Sequence, residues 1–141
     1  PVAQELLIGC AGTYGVADGG IERIDAVTPR SLGYAITEAA LGGDVLDVVW
    51  NGATHSYAIV SDASFNNMLV SWNPTAGAAI DTVYAPGGFN LPDCEINALG
   101  ELYLCDNGFT APGVRIYRAG ADTLLAGPLG TGLPPSQIAF R

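Results

Sequence analysis

The sequence predicts an all-β fold, and three observations carry that expectation. Short apolar runs return at spacings of roughly 8–12 residues, the rhythm of strands joined by turns. Clusters of Gly, Pro, Asn and Asp stand between the runs, drawing on 19 Gly and 9 Pro in 141 residues. These residues supply the positive φ, the fixed φ and the local side-chain bonds that turns use. No stretch sustains an apolar period of 3.6 between helix caps, so helix content is expected to be negligible.

Taken in chain order, the strands fall into groups. Glu5-Leu-Leu-Ile-Gly-Cys10 is followed by Gly20-Ile-Glu-Arg-Ile-Asp25 and Leu32-Gly-Tyr-Ala-Ile-Thr37. Beyond Leu41-Gly-Gly-Asp44 come Val45-Leu-Asp-Val-Val-Trp50, Ser56-Tyr-Ala-Ile-Val-Ser61, Met68-Leu-Val-Ser-Trp-Asn73 and Ala79-Ile-Asp-Thr-Val-Tyr84. Beyond Pro86-Gly-Gly-Phe89 come Asp93-Cys-Glu-Ile-Asn97, Glu101-Leu-Tyr-Leu-Cys-Asp106, Gly113-Val-Arg-Ile-Tyr-Arg118 and Asp122-Thr-Leu-Leu-Ala126. Gly130-Thr-Gly-Leu-Pro-Pro135 leads to a last strand, Ser136-Gln137-Ile138-Ala139-Phe140.

The groups superimpose when Glu5, Ser56 and Glu101 are set level, the first copy carrying a three-residue insertion around Tyr14 to Asp18. Four short strands recurring every ~40–50 residues is the pattern of a β-propeller blade, a small sheet packed face to face with its neighbours about an axis. The expected architecture is therefore a single module over 1–141 of about three four-stranded blades, at approximately 1–44, 45–92 and 93–141. It forms half of a six-bladed ring or a fragment of a larger propeller. A sandwich is the rival, but it would not require phased repetition.

The runs Ser56-Tyr-Ala-Ile-Val-Ser-Asp62 and Leu69-Val-Ser-Trp-Asn-Pro-Thr-Ala-Gly77 resemble the Tyr-Val-Thr-Asn repeat of YncE-like propellers and, more distantly, NHL repeats. Leu102-Tyr-Leu-Cys-Asp-Asn107, Val114-Arg-Ile-Tyr117 and Gly132-Leu-Pro-Pro-Ser-Gln-Ile-Ala-Phe140 repeat the pattern, so the resemblance spans nearly the whole chain. It implies an architecture and no particular activity. Families with such blades usually close with six or seven, whereas three are counted here.

The first group begins with what would be a blade's second strand, and 136–140 read as an innermost strand without a blade. Three blades make too wide a wedge to close a ring, and an open half-ring bares two faces and an edge. Burying on the order of 500 Å² per face at ~25 cal/mol/Å² is worth roughly 10 kcal/mol before association costs. A head-to-tail pair is expected, homodimer or filament, with Ser136, Gln137, Ile138, Ala139 and Phe140 of one chain completing the sheet edge at Glu5, Leu6, Leu7 and Ile8 of another.

Composition narrows the partners. Five Lys and Arg against 14 Asp and Glu leave a net charge of −9, too acidic to neutralise phosphates or to approach an anionic membrane. Nucleic acid and membrane insertion are therefore excluded as expectations, and no apolar run approaches the ~20 residues of a spanning helix. The chain opens at Pro1 without a basic-then-apolar leader and reads as a processed chain or a piece of a longer one. Low charge density, many turns and an odd number of cysteines suit a secreted, periplasmic or cell-surface setting.

Candidate chemistry is sparse. Asp47 and Asp93 share one phase of two inner strands, and with Glu95 and Asp106 they offer oxygen ligands for Ca²⁺ at a channel mouth. The plain alternative is that such residues cap turns, so the cofactor expectation is none, with Ca²⁺ as the exception. Cys94 and Cys105 lie opposite each other if Leu99-Gly100 is a two-residue turn, which would allow a cross-strand disulfide. A three-residue loop with a bulge at Gly100 sets Cys94 against Leu104 instead. His55 is expected to be exposed, and the Gly pairs at 19–20, 42–43 and 87–88 to be turn residues. Strand Trp and Tyr residues are expected to pack between blades.

The functional expectation is a non-enzymatic, self-associating scaffold or binding module. A lactonase-like or hydrolase-like propeller with a channel metal and a lectin-like module are the rivals.

Overall fold

A computed structural model describes residues 4–141. The described residues form three antiparallel sheets in which each strand pairs with its neighbour in the chain. The first sheet holds β1 (Glu5–Cys10), β2 (Gly20–Asp25) and β3 (Arg30–Thr37). The second holds β4 (Asp44–Val49), β5 (Ser56–Ser61), β6 (Asn67–Asn73) and β7 (Ala78–Tyr84). The third holds β8 (Cys94–Ile96), β9 (Glu101–Asp106), β10 (Gly113–Arg118) and β11 (Thr123–Leu129). The all-β expectation stands, and β1, β2, β5, β9 and β10 have the bounds read from the sequence. The expected strand at 136–140 does not form; that segment lies outside the sheets.

One helical turn, α1 (Glu38–Leu41), occupies a link expected to be irregular. The Thr37 hydroxyl accepts from the Ala40 amide at its start, and Gly42 closes it at φ 88°. These are ordinary cap residues, but four residues are too few for periodicity to reveal. The Gly19-Gly20 pair also departs from its expected turn role, since neither residue has positive φ. A Cβ at Gly20 would lie 2.4 Å from the Ile36 carbonyl oxygen, so glycine is needed there for close backbone approach.

The core lies between the sheets. Ile21 and Ile36 of the first sheet pack with Val45, Ala58, Val70 and Trp72 of the second. Tyr57, Ile59 and Leu69 of the second pack with Leu102, Leu104 and Tyr117 of the third. Alternate residues of β5 therefore serve opposite neighbours, Ala58 and Val60 one way, Tyr57 and Ile59 the other. All six β5 residues are buried because the second sheet is covered on both faces.

The same geometry corrects the alignment of the groups. Leu6, Ser56 and Leu102 are the residues paired with Ile24, Trp72 and Tyr117, each just before the end of the second strand of its hairpin. Ala58 and Val60 pack on the first sheet, Leu102 and Leu104 on the second, and Leu7 on the second, so by alternation Leu6, Ser56 and Leu102 all point away from the sheet that follows and are level by face. A one-residue error at Glu5 and Glu101 reverses every face assignment.

Candidate association surface

β1 has the composition of a buried strand and is largely exposed. Leu6 is 52% and Ile8 43% accessible, whereas their counterparts on β5 and β9 are buried. Two things account for this. Leu6 and Ile8, with Tyr34 at 47%, lie on the face turned away from the second sheet, whereas Leu7 and Ile21 point toward it. The edge of β1 opposite β2 also carries no strand among the described residues, whereas β5 is flanked by β4 and β9 by β8.

At the other end of the molecule, 136–140 lie against the third sheet. The Ile138 amide donates to Asp93 Oδ2 at 2.5 Å, and the Phe140 ring meets the Tyr103 ring edge-on, with centroids 5.1 Å apart. Ser136, Gln137, Ala139 and Phe140 are exposed and Ile138 half-buried. The contact repeats one made between the second and third sheets, where the Cys94 amide donates to Asp47 Oδ2 at 3.0 Å. Asp47 also takes the amide of its own neighbour Val48 at 2.8 Å.

Of the expected calcium ligands, Asp47 and Asp93 each accept the amide of a later segment. Burial, then the neighbouring Asp93 and Asp47 carboxylates, hold the Glu95 carboxyl above its usual range. Asp93 is raised by burial and by Asp47, with the Ile138 amide opposing. Asp106 lies apart. It takes Tyr84 Oη and Arg115 Nε, both at 2.8 Å, and the Arg115 guanidinium stacks over the Tyr84 ring 4.3 Å from its centroid. Burial acts to raise the Asp106 carboxyl, but the Arg115 and Tyr84 bonds, the Gly108 amide and the Arg115 charge together hold it low. Among the described residues no three His, Cys, Asp or Glu side chains are grouped to hold a metal ion.

The disulfide expectation is corrected. β8 pairs with β9 so that Cys94 faces Leu104, and the Gly100 amide bonds the Asn97 carbonyl with Gly100 at φ 74°, the three-residue loop with its bulge. Cys105 then points to the opposite face from Cys94, and both thiols are free.

A junction absent from the sequence reading joins the second and third sheets. Asp122 accepts from Tyr57 Oη at 2.6 Å and Ser71 Oγ at 2.8 Å, and its Oδ1 lies 2.9 Å from His55 Nε2. Tyr57 Oη in turn accepts the Gly120 amide at 2.6 Å. His55, expected to be exposed, is half-buried in this network. The only local sign was an Asp in a turn, a placement with many commoner uses. Ser71 donates to Asp122 and not to His55, so the group lacks the nucleophile-to-base bond of a hydrolytic triad. Trp72, Tyr57 and Tyr117 pack between sheets as expected, while Trp50 is 53% exposed.

Comparison with family models, curated proteins and solved structures finds no match to the chain.

Proposed function

We propose that the chain is a self-associating β-propeller module, a non-enzymatic scaffold or binding unit whose three sheets are blades. In this reading two chains meet head to tail, and 136–140 of each supply the innermost strand that the first sheet of the other lacks. Six blades then close with two-fold symmetry. One observation carries the reading: among the described residues β1 has an edge without a partner strand, and 136–140 lie outside the sheets, two pieces that together would complete one blade. The bared Leu6, Ile8 and Tyr34 face supports it, because the counterparts of Leu6 and Ile8, Ser56 and Ala58 on β5 and Leu102 and Leu104 on β9, are buried against a neighbouring sheet.

Sedimentation or light scattering of the 1–141 chain at micromolar concentration tests it. The expected species has twice the 14.5 kDa chain mass. A stable monomer overturns the reading, and a mass that grows without limit indicates the same contact failing to close.

A further inference from the structure

Resting on that reading, we propose the register of the contact: in the pair, Ile138 of one chain lies opposite Ile8 of the other, antiparallel, with Ser136 opposite Cys10 and Phe140 opposite Leu6. The assignment follows from bonds inside the chain. Leu6, Ser56 and Leu102 share a face, pointing away from the sheet that follows their own, so Ile8, Ala58 and Leu104, two residues further on, share it as well. Ala58 pairs with Val48, and Leu104 pairs with Cys94. Ile138 matches Cys94, because each donates its amide to the inner aspartate of the preceding sheet, Asp93 for one and Asp47 for the other. The residue that takes the place of Val48 and Cys94 therefore belongs opposite Ile8.

Two independent features agree with this register. Phe140 already turns toward Tyr103, so once 136–140 pair as a strand Ser136, Ile138 and Phe140 share the side that faces the third sheet. Cys10, Ile8 and Leu6 share the face of β1 turned away from the second sheet. Pairing even residues with even residues therefore builds one continuous apolar face, whereas a slip by one would set Ile138 beside the opposite face. The second feature is Gln137, which stands where Asp47 and Asp93 stand, one residue before the matched amide. Its side-chain carbonyl would accept the Val48 amide of the second chain, a donor that here turns back onto its own Asp47 carboxylate.

The test uses a native thiol. In the Ser136→Cys chain, diamide, which takes up the two thiol hydrogens as the S–S bond forms, should convert most of the protein to a covalent dimer on a non-reducing gel. A further Cys10→Ser change should abolish that band. Gln137→Cys, whose thiol would point to the other face opposite Gly9, should remain uncrosslinked. A dimer by scattering that does not crosslink through Ser136→Cys, or one that crosslinks through Gln137→Cys, overturns the register and leaves the pairing itself intact. A monomer by scattering overturns the pairing.

Discussion

Asp122 adopts a left-handed backbone at φ 54°, a conformation that Asp tolerates better than most residues, and from there its carboxylate reaches His55, just before β5, and Tyr57 and Ser71 of the second sheet. Asp122→Ala strips the partner from the buried Tyr57 and Ser71 hydroxyls and should cost about 3 kcal/mol in urea unfolding. Asp122→Asn, which keeps an acceptor and the tolerance of that backbone, should lose clearly less. Asp106 makes a prediction about acid. Its carboxyl is held below the unfolded value near 3.9, so the ion pair contributes fully above that pH and is lost as pH falls through the lowered folded value. Asp106→Asn should therefore flatten the acid limb of stability measured by thermal melts from pH 5 to pH 2.

Tyr84 acts at the other end of the scale. Burial, then its bond to Asp106, pushes its phenol up to about 12. The unfolded phenol ionises first as pH rises past about 10, so stability falls from that point upward. Tyr84→Phe should reduce this alkaline loss in melts between pH 9 and pH 11.

At the scale of elements, strand positions were legible and strand faces were not. β5 and β1 are both short apolar runs, and nothing in Ser56-Tyr-Ala-Ile-Val-Ser61 announces that it is covered on both sides while Leu6 and Ile8 are bare. The face depends on which sheet lies alongside, a fact outside any local window. The β8–β9 loop shows the same limit, since the two- and three-residue turns differ by one residue and decide which partner Cys94 meets. Close approach adds a test at the β2–β3 pair: Gly20→Ala sets a methyl against the Ile36 carbonyl and should lower stability by about 2 kcal/mol or more, read by denaturant midpoint.

For the whole molecule, the contact between 136–140 and the third sheet is slight, one amide bond and one ring contact, while both core clusters lie elsewhere. Deleting 134–141 should therefore leave a folded chain with a cooperative melt that no longer associates. In the intact chain, melting temperature should rise with protein concentration, because association draws on the folded state alone. A melting temperature independent of concentration over a hundredfold range argues against association.

Alternation, turn chemistry and spacing are local properties of the chain, and from them came the all-β class, the place of nearly every strand and the scarcity of helix. Which faces are covered, that Asp47 and Asp93 bond the next segment's amide, that Asp106 pairs with Arg115 and that Asp122 gathers His55, Tyr57 and Ser71 depend on how sheets stack. Those contacts join residues dozens of positions apart, and a carboxylate's partner is set by three-dimensional proximity, which spacing along the chain does not encode.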